Sequence, residues 1–181
     1  MTLLDSMAQF LGPHYMKVKF VHLLFAMVWL WSTAVAYLTY IVPVVRRWFA
    51  DPDNPALLQQ RNEVLERFDD GVVLEHVAFP VVLLSGLCLL LVGGWGPDSY
   101  WLVLKLGVVC LIFLPIEIYD YWLSHFGGNK KKIRRREGGD PLSSRRYEQV
   151  MQYHLWFLVV TTPLIAIGGV SVVYLATVKP L

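Results

Sequence analysis

The sequence predicts an all-α integral membrane protein, a four-helix bundle that crosses the bilayer up-down-up-down as a single transmembrane domain over residues 1–181. The composition and the distribution of apolar residues both lead to this prediction. Of the 181 residues, 56% are hydrophobic and 17% are charged, whereas about 25% of the residues of a soluble domain are charged. The mean hydropathy is +0.49, and the apolar residues are concentrated in four long stretches. A soluble domain, a disordered chain and a secreted disulfide scaffold are therefore disfavoured.

Each apolar stretch is long enough to cross a membrane as a helix. A hydrocarbon core about 30 Å thick takes about 20 residues at a rise of about 1.5 Å each. None of the stretches alternates with period two, which disfavours a β-barrel. The predicted spans are 21–45, 72–93, 100–122 and 155–178.

The connections between the spans predict the orientation. A Gly- and Pro-rich turn joins the second and third spans, while the longer loops 46–70 and 124–147 lie together on the opposite side. These loops hold four and eight Lys and Arg, twelve of the sixteen in the chain. The positive-inside rule therefore predicts cytoplasmic loops and extracytoplasmic termini. The basic run 130–136 is interpreted as a topology determinant near anionic lipid headgroups, and no nucleic-acid partner is expected.

Several ionisable residues lie within the spans, where a charge is costly and usually functional. One group lies near the cytoplasmic ends of spans two to four and consists of Glu75, His76, Glu117, Asp120 and His154. A second group, His22 and Lys105, lies on the outer side. His125, just beyond span three, is interpreted as an interfacial residue beside a glycine-rich loop.

Span one carries a stripe of small and polar residues at spacings of three and four. This spacing predicts one helix face directed toward the bundle interior. The members of the stripe are His22, Ala26, Trp29, Thr33, Ala36 and Tyr40. His154 begins a similar stripe in span four.

The first use predicted for these residues is haem ligation. Imidazoles from two helices can hold one iron from both sides, in a bundle that excludes water. His76 and His154 suit this role because they come from different spans at similar depth. His22 would then belong to a separate outer site with a single protein ligand.

Two other uses remain open. The group near the cytoplasmic side mixes carboxylates and imidazoles, which suit non-haem iron, manganese, zinc or copper(II). The ligands of that metal site would be Glu75, His76, Glu117, Asp120, His154 and, separately, His22. Alternatively, the same polar residues reach toward water, pair with the basic loops or cap helix ends.

A further pattern concerns the start of span one. The run Lys19-Phe20-Val21-His22, with Trp29 seven residues later, resembles the opening of the HemJ-type protoporphyrinogen oxidases, small bacterial membrane proteins that bind haem b. Similar motifs follow in the family's order: Phe79-Pro80 with Gly86-Leu87, Trp101 with Lys105, and Val178-Lys179-Pro180. The CopD-like copper-resistance membrane proteins share much of this pattern.

The resemblance implies a haem site at His22 and Lys105 in a multi-pass protein of the bacterial inner membrane. The chain departs from the HemJ type at Val103, where that family usually has a histidine, and at Leu38-Thr39-Tyr40, where it has an arginine. The family's Asn-Glu pair at the start of span four is also not evident.

The functional prediction is a haem b-binding membrane redox protein, acting in electron transfer or as an oxidase. Lys105 would hold haem propionates, while Glu117 and Asp120 would tune the potential or relay protons. Alternatives are a protoporphyrinogen IX oxidase of the HemJ type, a non-haem metal-binding or copper-transport-related protein, and a structural membrane subunit. The expected partners are the lipid bilayer, a quinone or another membrane redox partner, and further subunits in a homo- or hetero-oligomer.

Overall fold

The computed structural model describes residues 3–96, 98–136 and 145–179. Four helical stretches in these ranges are long and apolar enough to cross a membrane: Ala8–Ala50, Pro55–Val92, Tyr100–Arg136 and Arg145–Val178. The prediction of an all-α chain with four helices of membrane-spanning length is therefore confirmed. Residues 137–144 of the second predicted loop, Pro97 of the predicted turn and Pro180 of the C-terminal motif lie outside the described residues.

The described residues form nine α-helices. They are α1 (Leu3–Leu11), α2 (Tyr15–Ala36), α3 (Val42–Ala50), α4 (Pro55–Gly71), α5 (Val73–Val92), α6 (Tyr100–Val108), α7 (Leu114–His125), α8 (Lys130–Arg136) and α9 (Arg145–Val178). The end of the bundle that contains α4, α8 and the first turns of α9 is called the basic end below. Helical structure at this end begins well before the predicted spans.

The start of α4 has a local cause. The side-chain oxygen of Asn54 accepts hydrogen bonds from the backbone N–H groups of Ala56 and Leu57, at 3.1 and 3.4 Å. Pro55 follows at the first helical position, where its missing N–H costs nothing and its fixed φ favours the helix. The polar segment between the first two spans is therefore helical rather than an open loop.

Two five-residue π-helical turns, Tyr37–Ile41 and Val109–Phe113, interrupt the first and third stretches. Each is followed by a proline at the second position of the next helix, Pro43 and Pro115. Proline lacks an N–H and clashes with the carbonyl four residues earlier, and a wider turn relieves both problems.

The first π turn also explains a departure from the predicted stripe of span one. The extra residue of the turn rotates the following helix, so that Ile41 is buried (1% exposed) and Tyr40 is 62% exposed. Trp29 and Thr33, which precede the turn, are buried as predicted. The prediction that Tyr40 faces the bundle interior is therefore wrong, because it assumed an uninterrupted α-helix.

Two apolar clusters hold the bundle together. The cluster at the basic end has the buried members Ile41, Val45, Leu65, Phe68, Val72, Ile133, Tyr147, Met151, Leu155 and Leu158. The second cluster consists of Trp29, Ala78, Phe79, Phe113 and Ile165. In the second, the Trp29 ring lies 4.9 Å from the Phe113 ring and 5.1 Å from the Phe79 ring, measured between centroids. Together the clusters join all four stretches.

Two adjacent glycines let α9 approach its neighbours closely. A Cβ on Gly168 would lie 2.8 Å from Cε1 of Phe113, and one on Gly169 would lie 2.5 Å from Cδ2 of Leu30. Both distances are well below van der Waals contact. Small residues at such positions are typical of helix packing in membranes, where close contact replaces the hydrophobic driving force.

This packing predicts that Gly168→Ala destabilises the protein. The Phe113 ring, which packs against Trp29, must shift to admit the added methyl group, and overpacking of this kind costs about 1–3 kcal/mol. Thermal unfolding in detergent should therefore occur at a lower temperature than in the unmodified protein.

The matched control is Gly107→Ala. Nothing lies within 4 Å of a Cβ at Gly107, and alanine is the better helix former. Its unfolding temperature should be unchanged or slightly raised. Equal unfolding temperatures for the two variants would contradict the packing assigned to Gly168.

Candidate functional site: a buried network of carboxylates and histidines

Asp120 of α7 lies between two imidazoles from different helices. Its Oδ2 accepts a hydrogen bond from Nε2 of His76, on α5, at 3.0 Å. Its Oδ1 lies 3.4 Å from Nε2 of His154, on α9, whose side chain is completely buried. The structure thus brings together three residues that the sequence singled out, with a carboxylate between the two histidines.

The network continues from His76 toward the surface of the basic end. Nδ1 of His76 lies 2.8 Å from Nε2 of His125, which is partly exposed. Because His76 donates its Nε2 proton to Asp120, its Nδ1 accepts the Nε2 proton of His125. The sequence analysis interpreted His125 as a merely interfacial residue. In the structure it is the member of the network nearest the surface of the basic end.

On its other side, the network ends in a buried ion pair that sequence analysis missed. Nδ1 of His154 lies 3.4 Å from Oδ1 of Asp69, which also accepts a hydrogen bond from Nζ of Lys130 at 2.6 Å. Lys130 is completely buried, although its neighbour Lys131 is one third exposed. Asp69 precedes His76 by seven residues, so helical spacing alone could have placed the two on one face. Nothing in the basic run distinguishes Lys130 from the lysines that follow it.

Two further carboxyl groups, those of Glu117 and Glu75, lie farther from the basic end than Asp120. Oε1 of Glu117 accepts a hydrogen bond from the Trp29 indole N–H at 2.7 Å. Glu75 lies next to Glu117 and to Thr33, and both glutamates are at least 95% buried. The five ionisable residues predicted near the basic end are therefore parts of one continuous buried cluster.

The outer pair, His22 and Lys105, is separate from this cluster. Nδ1 of His22 lies 3.1 Å from the Val82 carbonyl oxygen and 3.1 Å from Oγ of Ser85. A carbonyl can only accept, so Nδ1 carries the proton and Nε2 presents a lone pair. Within the described ranges no hydrogen-bond partner is assigned to that Nε2. Lys105 is close enough to act electrostatically on the imidazole.

The helix packing also leaves little room beside the His22 ring. A Cβ on Gly86 would lie 3.2 Å from Cε1 of His22, so a larger residue at position 86 would press on the imidazole. A glycine at this position therefore keeps the ring where the Val82 carbonyl orients it.

In the part of the chain that the structure describes, no group of three or more His, Cys, Asp or Glu is arranged to hold a metal ion, and the non-haem site stays a prediction. No family model matches the chain, and neither the curated proteins nor the solved structures contain a significant match. The resemblance to the HemJ type likewise stays a prediction.

The buried ion pair predicts a large difference between two adjacent lysines. Lys130→Met leaves the Asp69 carboxylate buried without its cation, and breaking such a pair costs about 3–5 kcal/mol. Lys131→Met removes only an exposed pair with Asp70, worth about 0–1 kcal/mol. Chemical unfolding in detergent should therefore separate the two variants by at least about 2 kcal/mol.

A rescue variant checks the cause. Replacing Asp69 by Asn in the Lys130→Met background removes the unpaired charge and should recover much of the lost stability. If Lys130→Met is no less stable than Lys131→Met, the buried position of Lys130 is wrong.

Proposed function

We propose that the protein is a haem b-binding integral membrane redox protein in which His22 would hold the haem iron. The observation that carries the proposal is the orientation of this imidazole. Its Nδ1 proton is directed at the Val82 carbonyl oxygen, 3.1 Å away, which leaves the Nε2 lone pair available. Metal-binding histidines are commonly oriented in this way by a backbone carbonyl.

Two neighbouring residues support the same assignment. Lys105 lies near His22, partly buried and without an acidic partner among the residues described, so its ammonium group is available to a haem propionate. Gly86 leaves the imidazole ring undisturbed. When bound, haem b supplies one-electron redox chemistry, and the residues around it adjust its potential.

His76 and His154 suit this role less well as they stand. Both direct Nε2 toward the Asp120 carboxylate, whereas paired axial ligation requires both Nε2 atoms on one iron. A haem held by these two histidines stays a prediction, and it requires Asp120 to leave both of them. The proposal therefore assigns the haem to the outer half of the bundle.

We also propose that the basic end faces the cytoplasm of a bacterial inner membrane, with both termini outside and the helices running up-down-up-down. The distribution of Lys and Arg supports this orientation. At the opposite end, Nζ of Lys179 lies 4.3 Å from the Trp95 ring centroid and 5.4 Å from that of Trp101. Such a cluster of tryptophan and lysine is typical of a membrane interface.

The proposal predicts sharp α and Soret bands of haem b when the purified protein is reduced with dithionite. His22→Ala should abolish them, because the single protein ligand is lost, and Gly86→Val should weaken them by displacing the imidazole. His14→Ala, at an exposed histidine near α2, should leave them unchanged and serves as the control.

Two results would overturn the proposal. One is a purified protein without haem bands after expression with added haem precursor. The other is loss of the bands in His76→Ala and His154→Ala but not in His22→Ala. An oxidase of the HemJ type would use the same His22 and Lys105, and turnover of protoporphyrinogen IX by the haem-loaded protein would identify that activity.

A further inference from the structure

The buried network has a cavity at each end. At the basic end, a cavity of about 330 Å³ is lined by His125 together with Lys132, Arg136 and Arg146. At the Glu75 end of the network, a mainly apolar cavity of about 290 Å³ lies between the first and second stretches, with Glu75 and Arg67 of α4 among its lining residues. Members of one continuous cluster therefore reach both a polar surface cavity and an apolar one.

We propose that this cluster is a proton path between the two cavities, running from His125 through His76 and Asp120 to Glu117 and Glu75. The proposal concerns the half of the bundle away from His22 and does not depend on haem binding. In the orientation proposed above, the path begins at the cytoplasmic side of the bundle.

The two imidazoles form the first part of the path. When His125 takes up a proton on Nδ1, its Nε2 proton can move to Nδ1 of His76, and these two nitrogens are 2.8 Å apart. The Nε2 proton of His76 can then move to Oδ2 of Asp120, which lies 3.0 Å from that nitrogen. Each ring gains one proton and loses one, so neither accumulates charge. This directional transfer requires the tautomers that the hydrogen bonds already assign.

A water-sized cavity provides the next step. Asp120, Glu117 and Glu75 all line a cavity of about 10 Å³, about the smallest volume that holds one water molecule. Thr162 also lines it, and its hydroxyl is buried without a hydrogen-bond partner in the described structure. A water here would find several polar partners, which is the condition for a stable buried water. It would connect Asp120 with the two glutamates.

Glu75 provides the last step because it lines both the water-sized cavity and the apolar one. Two adjacent carboxylates in a low-dielectric interior repel each other, so the Glu75–Glu117 pair is expected to hold a proton. The Trp29 N–H stabilises negative charge on Glu117, which leaves Glu75 as the proton donor to the apolar cavity. The path therefore delivers a proton from Glu75 to the apolar cavity, and a proton from the basic end replaces it.

The other ionisable groups around Asp120 fix the position of its carboxylate. His154 lies at its Oδ1, backed by Asp69 and Lys130. His154, Asp69 and Lys130 hold the Asp120 carboxylate in place beside His76, and they are not part of the route themselves. They are positioning residues, so conservative changes there should affect stability more than proton access.

The path can be tested by infrared spectroscopy of the protein in lipid nanodiscs. A buried protonated carboxyl gives a carbonyl-stretching band that shifts when its proton is exchanged for a deuteron. We expect such a band, assigned by its loss in Glu75→Gln or Glu117→Gln. After transfer to D₂O, the shift should be slower by about tenfold or more in His125→Leu and His76→Leu, since a positioned proton carrier contributes factors of this size. Thr162→Val, which removes one water partner at similar volume, should also slow it.

The control is His14→Leu, which changes an exposed histidine outside the network and should exchange at the unmodified rate. His125 is partly exposed, so His125→Leu serves as the test if His76→Leu does not fold. A protonated-carboxyl band that exchanges equally fast in both histidine variants, or the absence of any such band, would overturn the proposal. Haem spectra of the same samples report on His22 separately, so failure of one proposal is distinguishable from failure of the other.

Discussion

A carboxylate inside a membrane bundle must be neutralised or partnered, and Asp120, which is 6% exposed, is subject to this constraint. An unpaired buried charge costs several kcal/mol, and Asp120 accepts a hydrogen bond from His76 of α5 and lies 3.4 Å from Nε2 of His154 of α9. The relative rotation of α5, α7 and α9 is therefore restricted to arrangements that keep His76 and His154 on this carboxylate. Asp69 and Lys130 extend the same requirement to α4 and α8.

The rest of the bundle makes this arrangement possible. At the basic end, Arg61 pairs with Glu148 at 2.6 Å, and Glu66 accepts hydrogen bonds from Arg134 and Tyr147, both at 2.8 Å. These contacts join α4, α8 and α9 beyond the apolar spans. The first stretch connects the two candidate sites, because His22 and Trp29 are two helical turns apart, about 10 Å along the axis.

The sequence predicts features that follow from a local rule, such as the length of an apolar helix. It does not predict features that depend on how one helix packs against another. Apolar length alone predicts four helices, and the cost of buried charge directs attention to His76, Asp120 and His154, which the structure brings together. Composition cannot show that Lys130 is buried, since that depends on where α8 packs against α4. Nor can an ideal 3.6-residue period foresee the π turn that exposes Tyr40. His76 and His154 both lie beside the Asp120 carboxylate because of how their helices are rotated. The periodicity of the sequence does not determine those rotations.

The most direct test of the account is nitrogen-15 magnetic resonance of the histidine rings in lipid. It reports which ring nitrogen carries a proton and whether that proton is hydrogen-bonded. The account predicts that Nε2 of His76 is protonated and strongly hydrogen-bonded, and that its signal, with that of His154, changes in Asp120→Leu while the His22 signals stay as they were. Ring signals of His76 and His154 that are the same with and without the Asp120 carboxylate would contradict it.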